Sequence, residues 1–380
     1  YQRASSADYL GVDPTRRSLT GTGGYVKVGR KGNAKWNFSE TFTWSSPGFD
    51  LNDMGYMKET DYLMNETEIM YRQTDIWKIF RYNAFTLSQK NMWNYGGTPF
   101  SNNASLRWQS MTMNRYEWDV KETFAWNWLD SRLLRGGPDV RFGSYFLTSA
   151  KFNTDKAKRM MFMLKYEGDH NFEGNRFNTI SPSLTFRLGN HVYLSGQLDY
   201  AWNTDEMQYV ATTSPLSSSS LAPYYYVMGH MDQKTYGLTL KLQVNVTPDI
   251  SIQFYGAPFT SIAKYDDFKL AADTKSHTFE NRFQRIDPDQ LTYADGVYTI
   301  GEGAGQMPFR NPDFRFNEFR SNLVARWEYL PGSTLYFVWE HRMSNRDNWY
   351  SSGWGSNLDR MWGLPATNTF MIKMNYWFNL

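Results

Sequence analysis

Three short segments contain residue types that could bind an ion. Asp50, Asn52 and Asp53 offer oxygen ligands of the kind that calcium prefers. Their segment, however, lacks the spacing of a calcium loop and its distal Glu. Residues 134–138 and 301–306 contain closely spaced glycines, as a phosphate loop does, but neither has the required Lys followed by a helix. We interpret all three segments as turns or structured hairpin loops.

Residues for catalysis or transition-metal binding are sparse. The five histidines are His170, His191, His230, His277 and His341, and no two are four residues apart. The chain contains no cysteine, which excludes disulfides, thiolate metal sites and cysteine nucleophiles. No Gly-x-Ser-x-Gly or His-Glu-x-x-His motif is present. We therefore expect no metal, no cofactor and no enzyme activity, although a Ser-His site assembled across strands stays open.

Strict two-residue alternation predicts the elements that position the remaining polar residues. In the clearest run, apolar residues at even positions from Phe370 alternate with polar ones, which predicts a strand reaching Leu380. Similar runs cover 179–188, 236–246 and 322–329. Short turns between such runs alternate with longer connections, which we place at 47–60, 91–100, 130–140, 168–174, 205–225, 264–313 and 344–364.

This pattern predicts an all-β fold, an antiparallel transmembrane β-barrel of the outer-membrane type that occupies the whole chain, 1–380. Aromatic residues make up 18% of the chain, yet its mean hydropathy is −0.62 and no stretch is apolar enough for a spanning helix. We count about 15 strands of roughly 10–16 residues, and because single-chain bacterial barrels have even counts we expect 16 or more in the intact protein. The chain starts at Tyr1 without a signal peptide, so we expect a mature or truncated form.

Charged residues on the polar side of the alternation are expected to line the barrel's lumen. There they would tune what passes, or pair with each other and brace the wall. These residues are Lys121, Lys165, Glu167, Arg187, Asp199, Lys241, Arg326, Glu328 and Lys373.

Two carboxylates break the pattern, because Glu40 and Glu122 share the parity of apolar residues. A carboxylate that faces lipid is unfavourable. Either a β-bulge turns each side chain inward or a partner protein covers that wall, and we favour bulges.

Aromatic residues in the longer connections are the candidates for ligand binding, since their rings can stack on sugars. The alternative is that they form the aromatic girdles found at membrane interfaces. The candidates are Trp93, Tyr95, Tyr224, Tyr225, Tyr226, Trp349, Tyr350, Trp354 and Trp362.

Five segments stand out in order along the chain. They are the Ser-Pro-Gly-Phe-x-x-Asn-Asp-x-Gly stretch from Ser46, the Arg-Gly-Gly-Pro loop from Arg135, the segment 247–259, the Asn-Pro-Asp-Phe stretch from Asn311 and the segment 326–333. Together these segments resemble one family of Bacteroidetes outer-membrane barrels without an assigned function. The motif residues that we expect in loops are Pro47, Gly48, Asn52, Asp53, Gly55, Arg135, Gly136, Gly137, Pro138 and Pro258. In that family the barrel usually follows a carbohydrate-binding domain similar to family 9, which this chain lacks. The resemblance implies the C-terminal part of a longer protein, an outer-membrane location and a link to glycans.

These observations support three functional hypotheses. The first is a non-enzymatic barrel that binds or admits an extracellular ligand, with glycan as the leading class. The second is a scaffold that docks lipoproteins or a secretion or uptake assembly, and the third is a barrel enzyme acting on lipid or protein. Outer-membrane lipid and lipopolysaccharide are expected partners. A net charge of +2 gives no footprint for nucleic acid.

Overall fold

The computed structural model describes residues 9–10, 13, 15–51, 55, 57, 59–216, 223–347 and 354–378. Strands dominate this part of the chain, and one short helix, α1, spans Trp354–Trp362. No helix among the described residues is both long and apolar enough to cross a membrane. The strands are β1(Gly23–Arg30), β2(Trp36–Ser45), β3(Tyr62–Gln73), β4(Phe80–Trp93), β5(Pro99–Thr112), β6(Glu117–Trp126), β7(Trp128–Asp130), β8(Val140–Phe142), β9(Tyr145–Asn153), β10(Met160–Asn171), β11(Arg176–Leu188), β12(Val192–Thr213), β13(Tyr225–Asn245), β14(Ile250–Ala271), β15(Phe283–Arg285), β16(Leu291–Ala294), β17(Val297–Ile300), β18(Met307–Arg310), β19(Phe314–Leu330), β20(Ser333–Asp347) and β21(Thr367–Asn375).

Fifteen of these strands form one antiparallel sheet in which each strand pairs with the next. The order is β1-β2-β3-β4-β5-β6-β9-β10-β11-β12-β13-β14-β19-β20-β21. In addition, β15 pairs with the last three residues of β14. The all-β antiparallel prediction and the count of about fifteen strands are thereby confirmed. Within the described residues the end strands β1 and β21 each have a single neighbour and do not pair with each other.

The sheet has one apolar and one polar face, as expected from the period of two. On the apolar face, side chains such as Leu198 (46% exposed) and Phe370 (65% exposed) lie open to the surroundings. Asp199 and Lys241 lie on the other face, the polar face, because register pairs Asp199 with Gly237 and Lys241 with Ser195. The long connections between strands lie at one end of the sheet, and we call this end the mouth.

The hydrophobic core lies at the mouth, where β12, β13 and β14 rise above their neighbours. These three strands are 21–22 residues long, so the predicted loops 205–225 and 264–313 were placed too early: β12 continues to Thr213 and β14 to Ala271. One cluster of buried residues contains Val227, Tyr265 and Phe268 and is covered by the small sheet β16-β17-β18.

A second cluster at the mouth joins the strand extension to the connection between β6 and β9. Met207 and Met228 pack there with Leu134 and Val140, and the side chains of Phe279 and Phe283 add to the cluster. Segments more than a hundred residues apart are therefore held together by apolar contacts, the dominant favourable interaction in a packed core.

Two further sequence predictions about the strands were wrong. The last strand ends at Asn375 and does not reach Leu380, whose own placement is outside the described residues. Pro258 lies inside β14, opposite Phe319, and not in a loop.

The predicted bulges at Glu40 and Glu122 are also absent. Register runs without interruption through Glu40 in the β2–β3 pair and through Glu122 in the pairs of β6 with β5 and β9. Both carboxylates therefore stay on the apolar face, and each accepts hydrogen bonds there, Glu40 from Asn65 and Thr67 and Glu122 from Thr148.

Candidate functional site

A short hairpin, β7–β8, is the element that organises the mouth. Its first strand ends on Asp130, whose Oδ1 accepts hydrogen bonds from the backbone N–H groups of Arg132 (2.7 Å) and Leu133 (3.0 Å). Such Asp-capped turns are local structures that the side chain itself encodes. Arg135 and Gly136 then adopt positive φ angles of 49° and 107°, which turn the chain back toward β8.

The Arg-Gly-Gly-Pro motif has a packing role at the hairpin's tip. A Cβ atom on Gly137 would lie 2.6 Å from Cζ of Tyr226, so only glycine fits against that ring. The guanidinium of Arg135 lies over the ring of Tyr209, 4.8 Å from its centroid. The motif thus docks the hairpin onto the extensions of β12 and β13.

The segment that follows β14 fixes the other side of the hairpin. Thr274 Oγ1 donates a buried hydrogen bond of 2.7 Å to the carbonyl of Asp139. The backbone N–H of Arg141 donates to the carbonyl of Thr274 (2.9 Å), and its Nε donates to that of Lys275 (2.9 Å). These contacts link residues more than 130 positions apart, so tertiary contacts as well as its own turn set the position of β7.

A buried ion pair completes the anchoring. Arg282 forms a bidentate contact with Glu173, with Nη1 to Oε2 at 2.9 Å and Nη2 to Oε1 at 2.8 Å. Only 1% of the Arg282 side chain and 13% of the Glu173 side chain are exposed. Glu173 Oε2 also accepts from the backbone N–H of Gly143, just after β8. Paired and hydrogen-bonded on both sides, the two charges can remain buried.

Two clefts flank the hairpin, and the first lies toward β4 and β5. It has a volume of about 240 Å³ and contains an exposed ion pair between Arg132 and Glu59, 3.6 Å apart. Lys90 and Asn103, which are register partners on β4 and β5, contribute an ammonium and a carboxamide. Phe100 and Trp128 supply aromatic surface. The cleft therefore offers ring faces together with both hydrogen-bond donors and acceptors.

The second cleft lies on the other side of the hairpin, toward β9–β12, and is about 450 Å³ in volume. Trp128 and Asp130 line this cleft as well as the first. The rings of Trp128 and Tyr145 meet edge to face at 5.5 Å between centroids. Polar and aromatic side chains from four strands and the β10–β11 turn complete the lining. They are Phe142, Asp169, Asn171, Asn175, Arg176, Phe177, Asn203, Thr204 and Asp205.

Asp205, one of the carboxylates of the second cleft, lies in an environment that disfavours its charged form. Burial raises the pKa of Asp205 above its ordinary value, and the negative charges of Glu206 and Asp169 add to the shift. The backbone N–H of Met207 donates to Asp205 Oδ1 at 2.8 Å and opposes it. Asp205 can therefore take up a proton more readily than a solvent-exposed carboxylate, which lets it donate as well as accept a hydrogen bond.

The predicted aromatic candidates do not converge on these clefts. Trp93 ends β4 and Tyr95 follows it in the turn before β5, whereas Tyr224 is 69% exposed just before β13. Tyr225 and Tyr226 lie within β13, and each is a half-buried residue that packs against one of the two core clusters, so they are strand residues and not loop residues.

The remaining aromatic candidates lie in or near the connection before β21. Trp362 ends α1 and meets Phe319 edge to face at 4.9 Å. Trp349 and Tyr350 lie outside the described residues, as does the side chain of Trp354. None of the candidates described here lines the two clefts.

The predicted lumen charges lie on the polar face of the sheet, and several are paired. Lys165 contacts Glu167 at 2.7 Å, and Arg326 contacts Glu328 at 2.6 Å. Asp199 accepts a hydrogen bond from Ser181 at 2.6 Å. Arg187 donates to the carbonyl of Lys156 at 3.1 Å. The two ion pairs fit the alternative in which the charges pair with each other, whereas Asp199 and Arg187 contact uncharged groups. Lys121, Lys241 and Lys373 share the same face.

The motif residues from the family resemblance lie in three places, because Pro258 lies within β14. Pro47 and Gly48 form a turn above β2, where the backbone at Gly48 runs close to Thr20, and Gly55 lies further along the same connection. Asn52 and Asp53 lie outside the described residues. Arg135, Gly136, Gly137 and Pro138 form the tip of the hairpin.

Sequence reasoning missed Trp128, Tyr145 and Asp205 as cleft residues. The Trp-Asn-Trp-Leu-Asp run from Trp126 was a usable signal, since it ends a strand with two rings and an acid. Among the described residues that line the clefts there is no histidine, and no group of three or more His, Asp or Glu in the described chain could hold a metal ion.

Comparison with known proteins gives a family and nothing more specific. No curated protein and no solved structure matches the chain. One family model, described as a domain of unknown function (DUF5916), matches residues 3–380. Since this match covers nearly the whole chain, the protein belongs to the DUF5916 family.

Proposed function

We propose that this chain forms the wall of a β-barrel in a bacterial outer membrane, and that the mouth of the barrel binds a glycan. The wall part of the proposal is supported by fifteen strands that pair in sequence order, with an exposed apolar face and with the longest connections all at one end. An additional strand between β1 and β21 would close the sheet with an even count.

Strand lengths support a membrane crossing with an extension beyond it. In β12, apolar-face residues run from Val192 to Trp202, and roughly 9–11 residues suffice for a tilted strand to cross a bilayer. Residues 203–213 then stand outside the proposed crossing, together with the hairpin β7–β8. The first cleft extends below the hairpin, along the polar face, to Lys90 and Asn103. A ligand in the clefts would therefore be reached from outside the cell.

The observation that carries the glycan proposal is the shared position of Trp128 and Asp130 between the two clefts. Sugars present apolar ring faces and many hydroxyl groups, so they are bound by aromatic rings next to carboxylates and carboxamides. Both clefts have that composition, and they lie on either side of one tryptophan. A chain of two or more sugar units would contact both clefts across that ring, which a compact apolar ligand would not.

The proposal is tested by measuring glycan binding to the purified chain in detergent or lipid nanodiscs. We expect binding to members of a broad glycan panel, with affinity at least tenfold lower for Trp128→Ala. The control is Trp327→Ala, which removes a half-exposed tryptophan from the apolar face of the wall and should leave affinity unchanged.

Lys90→Met provides a second test that leaves the hairpin intact, because this side chain lines only the first cleft. It should lower affinity for the same glycans. Absence of binding by the unaltered chain across the panel would overturn the glycan proposal, while insertion into liposomes would still test the wall.

A further inference from the structure

Among the described residues, β2–β5 carry a continuous polar patch on the apolar face. Register aligns Glu40 with Thr67 and Gln89 on β2–β4, and the next row along the strands contains Asn65, Asn91 and Asn102 on β3–β5. Because residues two apart point to the same face, both rows lie on the face that carries the apolar side chains. We call these six residues the amide patch.

Apolar rows enclose the amide patch above and below. The row toward the short turns is formed by four register partners that are 43–57% exposed. These are Phe38, Ile69, Leu87 and Leu106. The row toward the mouth contains Trp44, Leu63 and Trp93. Under the proposed membrane placement, on which this inference rests, the patch lies inside the lipid-facing belt.

Part of the patch is satisfied internally and part is not. Glu40 accepts hydrogen bonds from Asn65 and from Thr67 (2.6 Å). The side chains of Gln89, Asn91 and Asn102 have no hydrogen-bond partner among the described residues, and Gln89 is exposed. In lipid these carboxamides would be left without any partner, which is unfavourable for strong donors and acceptors.

We propose that a second copy of this chain covers the amide patch and forms a two-fold dimer within the membrane. A carboxamide both donates and accepts hydrogen bonds, so a patch of carboxamides is complementary to itself. A two-fold axis through β4 brings the same surface together from both copies, which is what an isologous interface requires. The patch contains no Lys or Arg, so two copies of it would not repel each other through positive charges. Glu40, at the edge of the patch, already accepts a hydrogen bond from Thr67.

The oligomeric state of the purified chain in nanodiscs, measured by native mass spectrometry, tests this proposal. We expect a dimer for the unaltered chain and at least a tenfold smaller dimer fraction for the triple variant Gln89→Leu/Asn91→Leu/Asn102→Leu. The matched control is Asn178→Leu, which makes the same change on the same face but on β11, and it should remain dimeric. A monomeric unaltered chain or a dimeric triple variant would overturn the proposal.

Because the chain contains no cysteine, a single introduced cysteine permits a second measurement that does not need the triple leucine change. Gln89→Cys should form a disulfide between two copies when a mild oxidant accepts the two electrons, because Gln89 lies next to the proposed axis. Ser321→Cys, on the same face of β19, should not. Cross-linking at 321 but not at 89 would contradict the inference. Failure of the chain to enter liposomes would instead overturn the membrane placement, and the inference with it.

Discussion

The mouth of this molecule and the rest of the fifteen-stranded sheet, which we call the wall, are stabilised in different ways. In the wall each strand pairs with its sequence neighbour, side chains alternate between two faces, and the charged pairs are exposed. At the mouth, strands β12–β14 outgrow their neighbours, and connections from distant parts of the chain pack on them. Two ion pairs show the contrast: Lys165–Glu167 in the wall is 40% and 46% exposed, whereas Arg282–Glu173 at the mouth is 1% and 13% exposed. The mouth therefore depends on a few irreplaceable contacts and the wall on many interchangeable ones.

Removal of the buried cation should give the largest effect. Arg282→Met leaves Glu173 buried without its partner, which costs about 3–5 kcal/mol. Because the loss is local, hydrogen exchange should accelerate in the hairpin β7–β8 and in residues 272–283, while the wall strands keep their protection. Lys165→Met is the control, since exposed pairs contribute about 0–1 kcal/mol. Equal effects of the two substitutions would show that the mouth is not distinct from the wall.

Truncation of a buried side chain at the hairpin should have the next largest effect. Leu134 is 1% exposed and contacts Met207 and Met228 in the second cluster. Leu134→Ala should destabilise the mouth by about 2–4 kcal/mol, through lost burial and the cavity that remains. Leu240→Ala in the wall removes the same atoms from a side chain that is 39% exposed. Limited proteolysis should cut the hairpin of the first variant faster and leave the second as resistant as the unaltered chain.

Crowding at the hairpin's tip should have a moderate effect. Gly137→Ala places a methyl group against the ring of Tyr226, and such overpacking costs about 1–3 kcal/mol. Combining it with Tyr226→Ala should destabilise the hairpin by less than the sum of the two single changes, because the clash disappears with the ring. Free energies from hydrogen exchange in β8 measure this difference. Strict additivity would mean that Gly137 serves another purpose than access to Tyr226.

The same contrast explains what the sequence could predict. Alternation identified the wall strands and their faces, because a half-buried strand shows its environment residue by residue. It failed in β12–β14, because irregular register changes which residues share a face. The irregularities lie between Asp205 and Gln208, between Tyr209 and Ala211 and near Gly229. The alternation alone therefore ended these strands too early.

The candidate site could be predicted even less well. Its position depends on Thr274, Arg141 and Arg282, which meet only after long-range folding. The aromatic candidates were chosen because they were in predicted loops, and Tyr225 and Tyr226 proved to be half-buried strand residues that border the core. Glu40 and Glu122 were recognised as exceptions, but the reason for them lay in same-face partners such as Asn65 and Thr148, which only the register reveals.

The smallest expected effect concerns pH and again separates the mouth from the wall. His230 on the β13 extension lies 3.1 Å from Glu206 and 3.5 Å from Asp232. Burial alone would lower the pKa of His230, but the hydrogen bond and charge of Glu206, with the charge of Asp232, outweigh it and raise the pKa above its ordinary value. The contribution of protonated His230 to the stability of the mouth is therefore complete below about pH 6.5, the ordinary pKa of histidine. It is lost as the pH rises through the raised folded-state pKa.

The measurement is hydrogen exchange at the mouth ends of β12 and β13, corrected for the intrinsic pH dependence of exchange. We expect the free energy of protection to fall by less than about 1 kcal/mol between acidic and mildly alkaline solution. His230→Gln should remove this dependence, whereas His191→Gln, at the short-turn end, should preserve it. If protection in the unaltered chain instead rose with pH, desolvation and not the two carboxylates would control His230, and the mouth would be held without this charge contact.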